Sequence, residues 1–179
     1  MNWAAVAAGY VTDAVTLDRL IQEVWRAAQS QEESNWRTLL KTDGVALCLE
    51  ATEGADAPDQ AVSSAARAIV RARQSSLATE VAKRALAQGF LASGGPRRGF
   101  AECLFGEVTA YLVSRDLPGY VGERFRNHTV REAVDFKDRI TAEVRQRVAG
   151  ALEERGVPAA DDRQGWNSFI DFVAARLSS

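Results

Sequence analysis

Apolar side chains recur every three or four residues along most of this 179-residue chain, which is the spacing of one face of an α-helix. The clearest run occupies residues 3–28, where successive apolar positions are alternately four and three residues apart. These positions are Trp3, Ala7, Tyr10, Ala14, Leu17, Ile21, Val24 and Ala28. We therefore predict a long N-terminal helix in a bundle core. A coiled-coil dimer is the alternative, because four heptads only just reach the length at which such a pairing forms.

Residues 39–50 permit two interpretations. Asp43 and Gly44 stand between two apolar segments, and this dipeptide in such a setting is a hairpin signal. The alternative is a helix that continues through Gly44 to about Thr52. An isolated two-stranded hairpin is only marginally stable in water, and no third strand is predicted, so the helix is favoured.

The remainder of the chain also has helical periodicity, interrupted by recognisable stop signals. A helical stretch over 59–92 contains Gln74-Ser75-Ser76, where a serine can cap a second helix. The glycines and proline of GGPRRGF then predict a flexible break at 93–99, followed by a helix from Phe100. The last two helices begin after a capping box at Thr129 and near Asp161. We predict an all-α fold: a compact bundle of five to seven helices in a single domain, residues 1–179.

Charge is distributed unevenly along the chain. The net charge is −2, with 22 basic and 24 acidic residues, yet residues 60–101 contain seven basic residues and one acid, a net charge of +6. Residues 1–59 contain four basic and ten acidic residues, a net charge of −6. The seven basic residues are Arg67, Arg71, Arg73, Lys83, Arg84, Arg97 and Arg98. Such separation indicates a charged partner: nucleic acid, an acidic protein or another copy of the chain.

Helical geometry ranks these partners. On one continuous helix, Arg67 and Arg71 lie about 40° apart, whereas Arg73 and Arg84 lie about 120° or more away. The cations would then form no single stripe along a phosphate backbone. No aromatic residue between Arg67 and Arg84 offers a base-stacking platform, and the calculated pI of about 5.5 is acidic. A protein partner, or the chain itself as an oligomer, is therefore preferred to nucleic acid.

The GGPRRGF segment has two interpretations. Arg97 and Arg98 directly precede a predicted helix N-terminus, where free backbone N–H groups and guanidinium groups together suit an anion. The glycine spacing matches neither a phosphate-binding loop nor the dinucleotide fingerprint. An exposed hinge is the preferred interpretation, and an anion site is the alternative.

The sequence contains no motif that specifies a reaction. His128 is the only histidine; with Glu132 it could supply two metal ligands, but no second His or Cys lies nearby. Cys103 would be activated if it lay in the first turn of a helix, but nothing places His128 beside it. We predict no catalytic residue, no metal and no cofactor, and we expect Cys48 and Cys103 to be free thiols. An enzyme is the least favoured class.

The chain is expected to reside in the bacterial cytoplasm. Its first residues lack the basic region of a signal peptide, and no stretch has the roughly 18 apolar residues of a membrane span. Arg outnumbers Lys 19 to 3, a bias typical of GC-rich bacterial genomes. The leading hypothesis is a non-enzymatic interaction subunit or adaptor. A nucleic-acid-binding subunit is the first alternative. A ligand-binding bundle is the second, with a pocket among Trp3, Trp25, Trp36 and Trp166.

Overall fold

The computed structural model describes residues 17–30, 35–116 and 129–179, and these residues form eight α-helices and no strand. The helices are α1 Leu17–Ser30, α2 Trp36–Leu39, α3 Asp43–Glu50, α4 Pro58–Ala72, α5 Leu77–Gly89, α6 Pro96–Asp116, α7 Val130–Arg155 and α8 Arg163–Ser178. The all-α prediction is confirmed. Eight helices exceed the five to seven expected, because the helix predicted to run through Gly44 divides into Trp36–Leu39 and Asp43–Glu50. Only the Leu17–Ser30 part of the long N-terminal helix can be compared, since residues 3–16 lie outside the described residues.

Residues 39–50, for which a hairpin was the alternative, are helical apart from a short turn, so the hairpin alternative was wrong. Asn35 caps α2, its side-chain oxygen accepting a hydrogen bond from the Thr38 backbone nitrogen at 3.3 Å. After a short turn, α3 starts at Asp43. Gly44 lies against the connection between α4 and α5, where a Cβ would overlap the Thr79 side chain and lie 2.8 Å from the Gln74 carbonyl oxygen. This glycine therefore permits close packing of helices and does not turn a hairpin.

The predicted break before Leu77 is confirmed. Arg73 ends α4 in the left-handed conformation, with φ of 56°. Ser76 then caps α5: its hydroxyl accepts from the Thr79 backbone nitrogen, and the Thr79 hydroxyl accepts from the Ser76 nitrogen. The angular positions expected for one continuous helix consequently do not apply to Arg73 and Arg84, which belong to different parts of the fold.

The helix predicted from Phe100 starts four residues earlier, at Pro96. Gly94 and Gly95 have φ of 101° and 92° and reverse the chain after α5. A Cβ on Gly99 would overlap the Gly89 carbonyl oxygen, so the end of α5 and the start of α6 touch backbone to backbone. Residues 96–99 thus belong to α6. Flexibility at residues 93–95 stays a prediction. The division of the chain into a single domain also stays a prediction.

The core is built around α6, which packs against α5, α7 and α1, while α8 packs against α1 and α7. Trp25, Trp36 and Trp166 are at most 1% exposed. The Trp25 ring nitrogen donates to the Thr109 hydroxyl at 3.1 Å. Phe100 stacks on Trp166, with ring centroids 6.0 Å apart. Three of the four tryptophans proposed to line a pocket are therefore core residues, and Trp3 lies outside the described part.

The capping box that opens α7 is also confirmed, because Thr129 and Glu132 exchange side-chain-to-backbone hydrogen bonds. The helix ends at Gly156, with φ of 78°. None of the helices in the described ranges combines the length and the apolar character that crossing a membrane requires.

Candidate interaction surface

The seven cations predicted as contact residues divide into two groups. Three of them pair with carboxylates of the same chain. The other four, Arg67, Arg71, Arg73 and Arg84, have no ion pair with any described residue, and each is exposed. Since an intramolecular partner satisfies a cation, the four unpaired ones are better placed to meet another molecule.

Arg97 and Arg98 belong to the paired group. The Arg97 Nη1 atom lies 3.2 Å from Glu53 Oε1. Arg98 contacts Glu102 at 2.8 Å through Nε and Glu153 at 3.3 Å through Nη2. Its hydrogen bonds to these carboxylates, first of all to Glu102, raise the pKa of the Arg98 guanidinium. The two arginines thus tie α6 to neighbouring segments.

Lys83 is the third member of the paired group. Its Nζ atom lies 2.7 Å from Glu80 Oε1, one turn earlier on α5. This is the ordinary pairing of two residues three apart on a helix surface.

Three of the unpaired cations lie together at the C-terminal end of α4 and form the surface that we call the basic corner: Arg67, Arg71 and Arg73, with the exposed side chains of Val70 and Leu77. The buried stripe of α4 is Ala61, Ala65 and Ile69. At about 100° per residue, Arg67 lies about 160° from the centre of that stripe and Arg71 about 40° from Arg67. Both therefore point away from the core.

Two aliphatic side chains lie within the basic corner. Val70 is 69% exposed and Leu77 is 46% exposed. Val70 immediately precedes Arg71, and Leu77 opens α5 just beyond the turn at Arg73. A surface of arginines interspersed with aliphatic groups offers both charge and apolar area to a partner.

The opposite end of α4 is acidic. Asp59 lies in its first turn, and Asp56 just precedes the helix; both are exposed, and neither has an ion pair with a described residue. Twelve residues separate Asp59 from Arg71, a distance of about 18 Å along the helix. One helix therefore carries acidic and basic groups at its two ends.

Arg84 lies elsewhere, on the wall of a groove between α5, α6 and α7. The groove has a volume of about 700 Å³. We call it the polar groove; its lining is Val81, Arg84, Gln88, Glu107, Ala110, Tyr111, Ser114, Lys137, Asp138, Thr141, Ala142 and Arg145. Sequence reasoning identified only Arg84. Lys137, Thr141 and Arg145 recur every fourth residue on α7, a polar stripe beside its buried one, and that pattern was the signal available for them.

The thiols show none of the features of a catalytic site. Cys48 and Cys103 are both free and buried. Burial raises the pKa of Cys48 to about 12, and burial likewise raises that of Cys103. Because α6 starts at Pro96, Cys103 lies beyond the first turn, so the condition for its activation by the helix terminus is not met. His128 lies outside the described residues, and within the described ranges no three His, Cys, Asp or Glu side chains are grouped to hold a metal.

Comparison with known proteins gives no relative: the chain matches no protein-family model, no curated protein and no solved structure. Function must therefore be argued from the surfaces themselves.

Proposed function

We propose that this chain is a non-enzymatic interaction subunit whose basic corner binds an acidic protein surface. The single observation that supports the proposal is the group of three exposed arginines, Arg67, Arg71 and Arg73, for which no described carboxylate acts as a partner. Lys83, Arg97 and Arg98 have such partners within the chain.

The aliphatic groups of the basic corner favour protein over nucleic acid. Phosphate contacts need cations along the path of a backbone, and Val70 and Leu77 add nothing to them. Both side chains can instead be buried against the aliphatic or aromatic residues of a protein partner, which removes their apolar surface from water. Nucleic acid accordingly remains the second candidate, supported only by the charge of the corner.

A second copy of the chain is the simplest acidic partner. When two α4 helices pack antiparallel, Asp56 and Asp59 of each copy approach Arg71 and Arg73 of the other. Such a contact uses the same patch on both copies and closes as a dimer. Contact between a single pair of helices buries an area at the low end of the range for protein interfaces, so the dimer is expected to be weak and to dissociate on dilution.

Sedimentation at several concentrations tests the proposal. The screening length falls from about 30 Å at 0.01 M salt to about 3 Å at 1 M salt. We expect a concentration-dependent dimer in the first condition and monomer in the second. Species larger than a dimer would point to head-to-tail association between unlike surfaces.

Charge reversal identifies the residues involved. The D56R/D59R chain carries cations at both ends of α4, and the R71D/R73D chain carries acids at both ends, with Arg67 as the one remaining cation of the basic corner. Each variant alone is expected to remain monomeric, whereas an equimolar mixture should form a dimer of the two. Far-UV circular dichroism must show that both variants fold, and a mixture that stays monomeric would exclude this pairing.

A labelled acidic peptide separates the interaction surface from the dimer. The probe is a helical peptide with Glu and Leu on one face, and its binding is followed by fluorescence anisotropy. The R67Q/R71Q variant should bind it at least about tenfold more weakly, because two charged contacts are lost. The R131Q/R139Q variant removes two exposed arginines of α7 and should bind normally. Tighter binding of a DNA duplex than of the peptide would favour the nucleic-acid alternative, and equal effects of both variants would contradict the proposal.

A further inference from the structure

The polar groove is not electrically balanced, and it lies apart from the basic corner. Three cations and two carboxylates line it. Lys137 Nζ lies 3.5 Å from Asp138 Oδ1, and Arg145 Nη2 lies 3.3 Å from Glu107 Oε1. Arg84 has no carboxylate partner among the described residues. The groove therefore carries one uncompensated positive charge.

Arg145 is held in a fixed position at one end of the groove. Its Nη2 atom donates to Gln88 Oε1 at 2.6 Å and to Glu107 Oε1 at 3.3 Å. A Cβ on Gly106 would lie 2.6 Å from Arg145 Nε, so an alanine at this position of α6 would displace the Arg145 side chain. Both hydrogen bonds use Nη2, which leaves the N–H groups of Nη1 for another acceptor.

One N–H donor of Arg145 lowers the stability of the folded chain, because it is buried without an acceptor. Its Nε is buried and has no hydrogen-bond partner in the described part of the protein. A buried donor without an acceptor typically costs about 1–3 kcal/mol, and proteins contain few such groups. The orientation of Arg145 is therefore maintained at the expense of one unsatisfied N–H.

Arg84, on α5, is a second cation in the lining of this groove. It precedes Gln88 by one turn of α5, and residues four apart on a helix are neighbours with Cβ atoms about 5–6 Å apart. Gln88 in turn bonds directly to Arg145. Two positively charged groups, Arg84 of α5 and Arg145 of α7, thus line the groove, with Arg84 one turn of α5 from the residue that bonds Arg145, and an anion between them would be attracted to both.

The groove extends away from the end at which Arg145 lies. Val81, Ser114 and Lys137 lie seven or eight residues from Gln88, Glu107 and Arg145 on the same three helices. At 1.5 Å per residue, two turns correspond to about 11 Å. The intervening wall includes Ala110, Tyr111 and Ala142, so an apolar body finds contacts along it. A volume of about 700 Å³ lies within the range of small-molecule sites.

We propose that the polar groove binds an elongated organic anion. Its carboxylate or phosphate lies between Arg84 and Arg145, and its partly apolar body runs along α6 towards Lys137. Gln88, Glu107 and Gly106 act as positioning residues, because they fix the Arg145 guanidinium. The basic corner takes no part in this site, so the proposal stands or falls separately from the interaction function.

Isothermal titration calorimetry with four probes tests the proposal. Octanoate and octyl phosphate share a chain and differ in head group; octylammonium reverses the charge, and inorganic phosphate lacks the chain. We expect saturable one-to-one binding of octanoate or octyl phosphate, with their ratio identifying the preferred head group. Octylammonium should not bind, and inorganic phosphate should bind at least about tenfold more weakly than octyl phosphate because the apolar contacts are lost.

Substitutions then locate the anion. Arg84→Gln removes an exposed side chain, so the variant should fold normally and bind the better probe at least about tenfold more weakly. Gly106→Ala leaves the charge unchanged and should also weaken binding, because the added methyl displaces the Arg145 guanidinium. The R131Q/R139Q variant is the matched control and should bind like the parent.

Three outcomes would overturn the proposal. The first is no saturable binding of either anionic probe to the unmodified chain. The second is binding that Arg84→Gln leaves unchanged, since the anion would then lie elsewhere. The third is equal binding of octylammonium, which would show that only the alkyl chain is recognised.

Discussion

The basic corner and the first turn of α6 are built from the same residue type and lie in the same +6 stretch of sequence, yet their arginines have different surroundings. Arg97 and Arg98 contact Glu53, Glu102 and Glu153, and thereby join α6 to other segments. Arg67 and Arg71 point away from the core, with no carboxylate partner among the described residues.

This difference shows that a local excess of charge does not by itself mark a contact surface. Glu53 lies 44 residues from Arg97 in the sequence, and Glu153 lies 55 residues from Arg98. Only Glu102 is close in sequence, four residues from Arg98. The effect of the two distant acids appears only once the helices are assembled. What remains after this internal pairing is the smaller, exposed set at the end of α4, together with Arg84 on α5.

The largest expected effect concerns the backbone contact that fixes the first turn of α6. Gly99→Ala should lower the free energy of unfolding by about 3 kcal/mol, because the new Cβ overlaps the Gly89 carbonyl oxygen and neither backbone can move freely. Chemical denaturation followed by circular dichroism measures this loss. Acidic-peptide binding at the basic corner should persist wherever the variant is folded.

Gly150→Ala is the matched control. Gly150 lies within α7, and a Cβ there would meet no atom within 4 Å. Alanine should therefore stabilise the helix by about 0.5–1 kcal/mol. A similar loss in both variants would mean that helix α6 does not approach α5 as closely as described.

Limited proteolysis compares the two arginine sites directly. Trypsin should cleave after Arg73 about tenfold or more faster than after Arg97 or Arg98, since the first lies in an exposed connection and the others in a helix held by ion pairs. Mass spectrometry of early time points gives the two rates. Faster cleavage at Arg97 and Arg98 would instead support a flexible break at 93–99.

Neutral substitutions should separate the two regions by stability. Arg98→Gln removes two ion pairs and should lower the melting temperature by a few degrees. Arg71→Gln should leave it almost unchanged, because surface cations without partners contribute little. Differential scanning calorimetry at moderate salt measures both, and a larger loss in Arg71→Gln would show that the basic corner has a structural role.

Local sequence signals accounted for much of the fold. The capping residues Ser76 and Thr129 predicted helix starts that the structure contains, because caps depend on residues a few positions apart. Gly44 was ambiguous for the opposite reason. Its function is to let α3 approach the α4–α5 connection, and that contact is between residues about 30 positions apart.

The functional surfaces were predicted less completely. Arg67 and Arg71 could be grouped correctly because both belong to one helix. The shared groove of Arg84 and Arg145 could not be predicted, because it depends on the hydrogen bond between Gln88 and Arg145, which are 57 positions apart in the sequence. Lys137 and Arg145 lie outside the apolar stripe of α7, and that stripe predicts the helix but not the polar residues that line a groove beside it.

The smallest expected effect is on pH dependence, at an ion pair far from both regions. Asp171 Oδ1 lies 2.5 Å from Arg37 Nε and 2.5 Å from Lys41 Nζ. The hydrogen bond from Arg37, assisted by Lys41, lowers the pKa of Asp171 below its usual value of about 3.9. A lowered folded pKa adds stability above pH 4, which is lost as the pH falls through the folded value. The melting temperature of Asp171→Asn should thus be slightly below that of the parent at pH 6, and the two should converge as the pH falls below the lowered pKa of Asp171. Arg71→Gln should show no such convergence, since the described residues give Arg71 no carboxylate to titrate. A constant difference between Asp171→Asn and the parent down to low pH would mean that packing, and not charge, accounts for the contribution of Asp171.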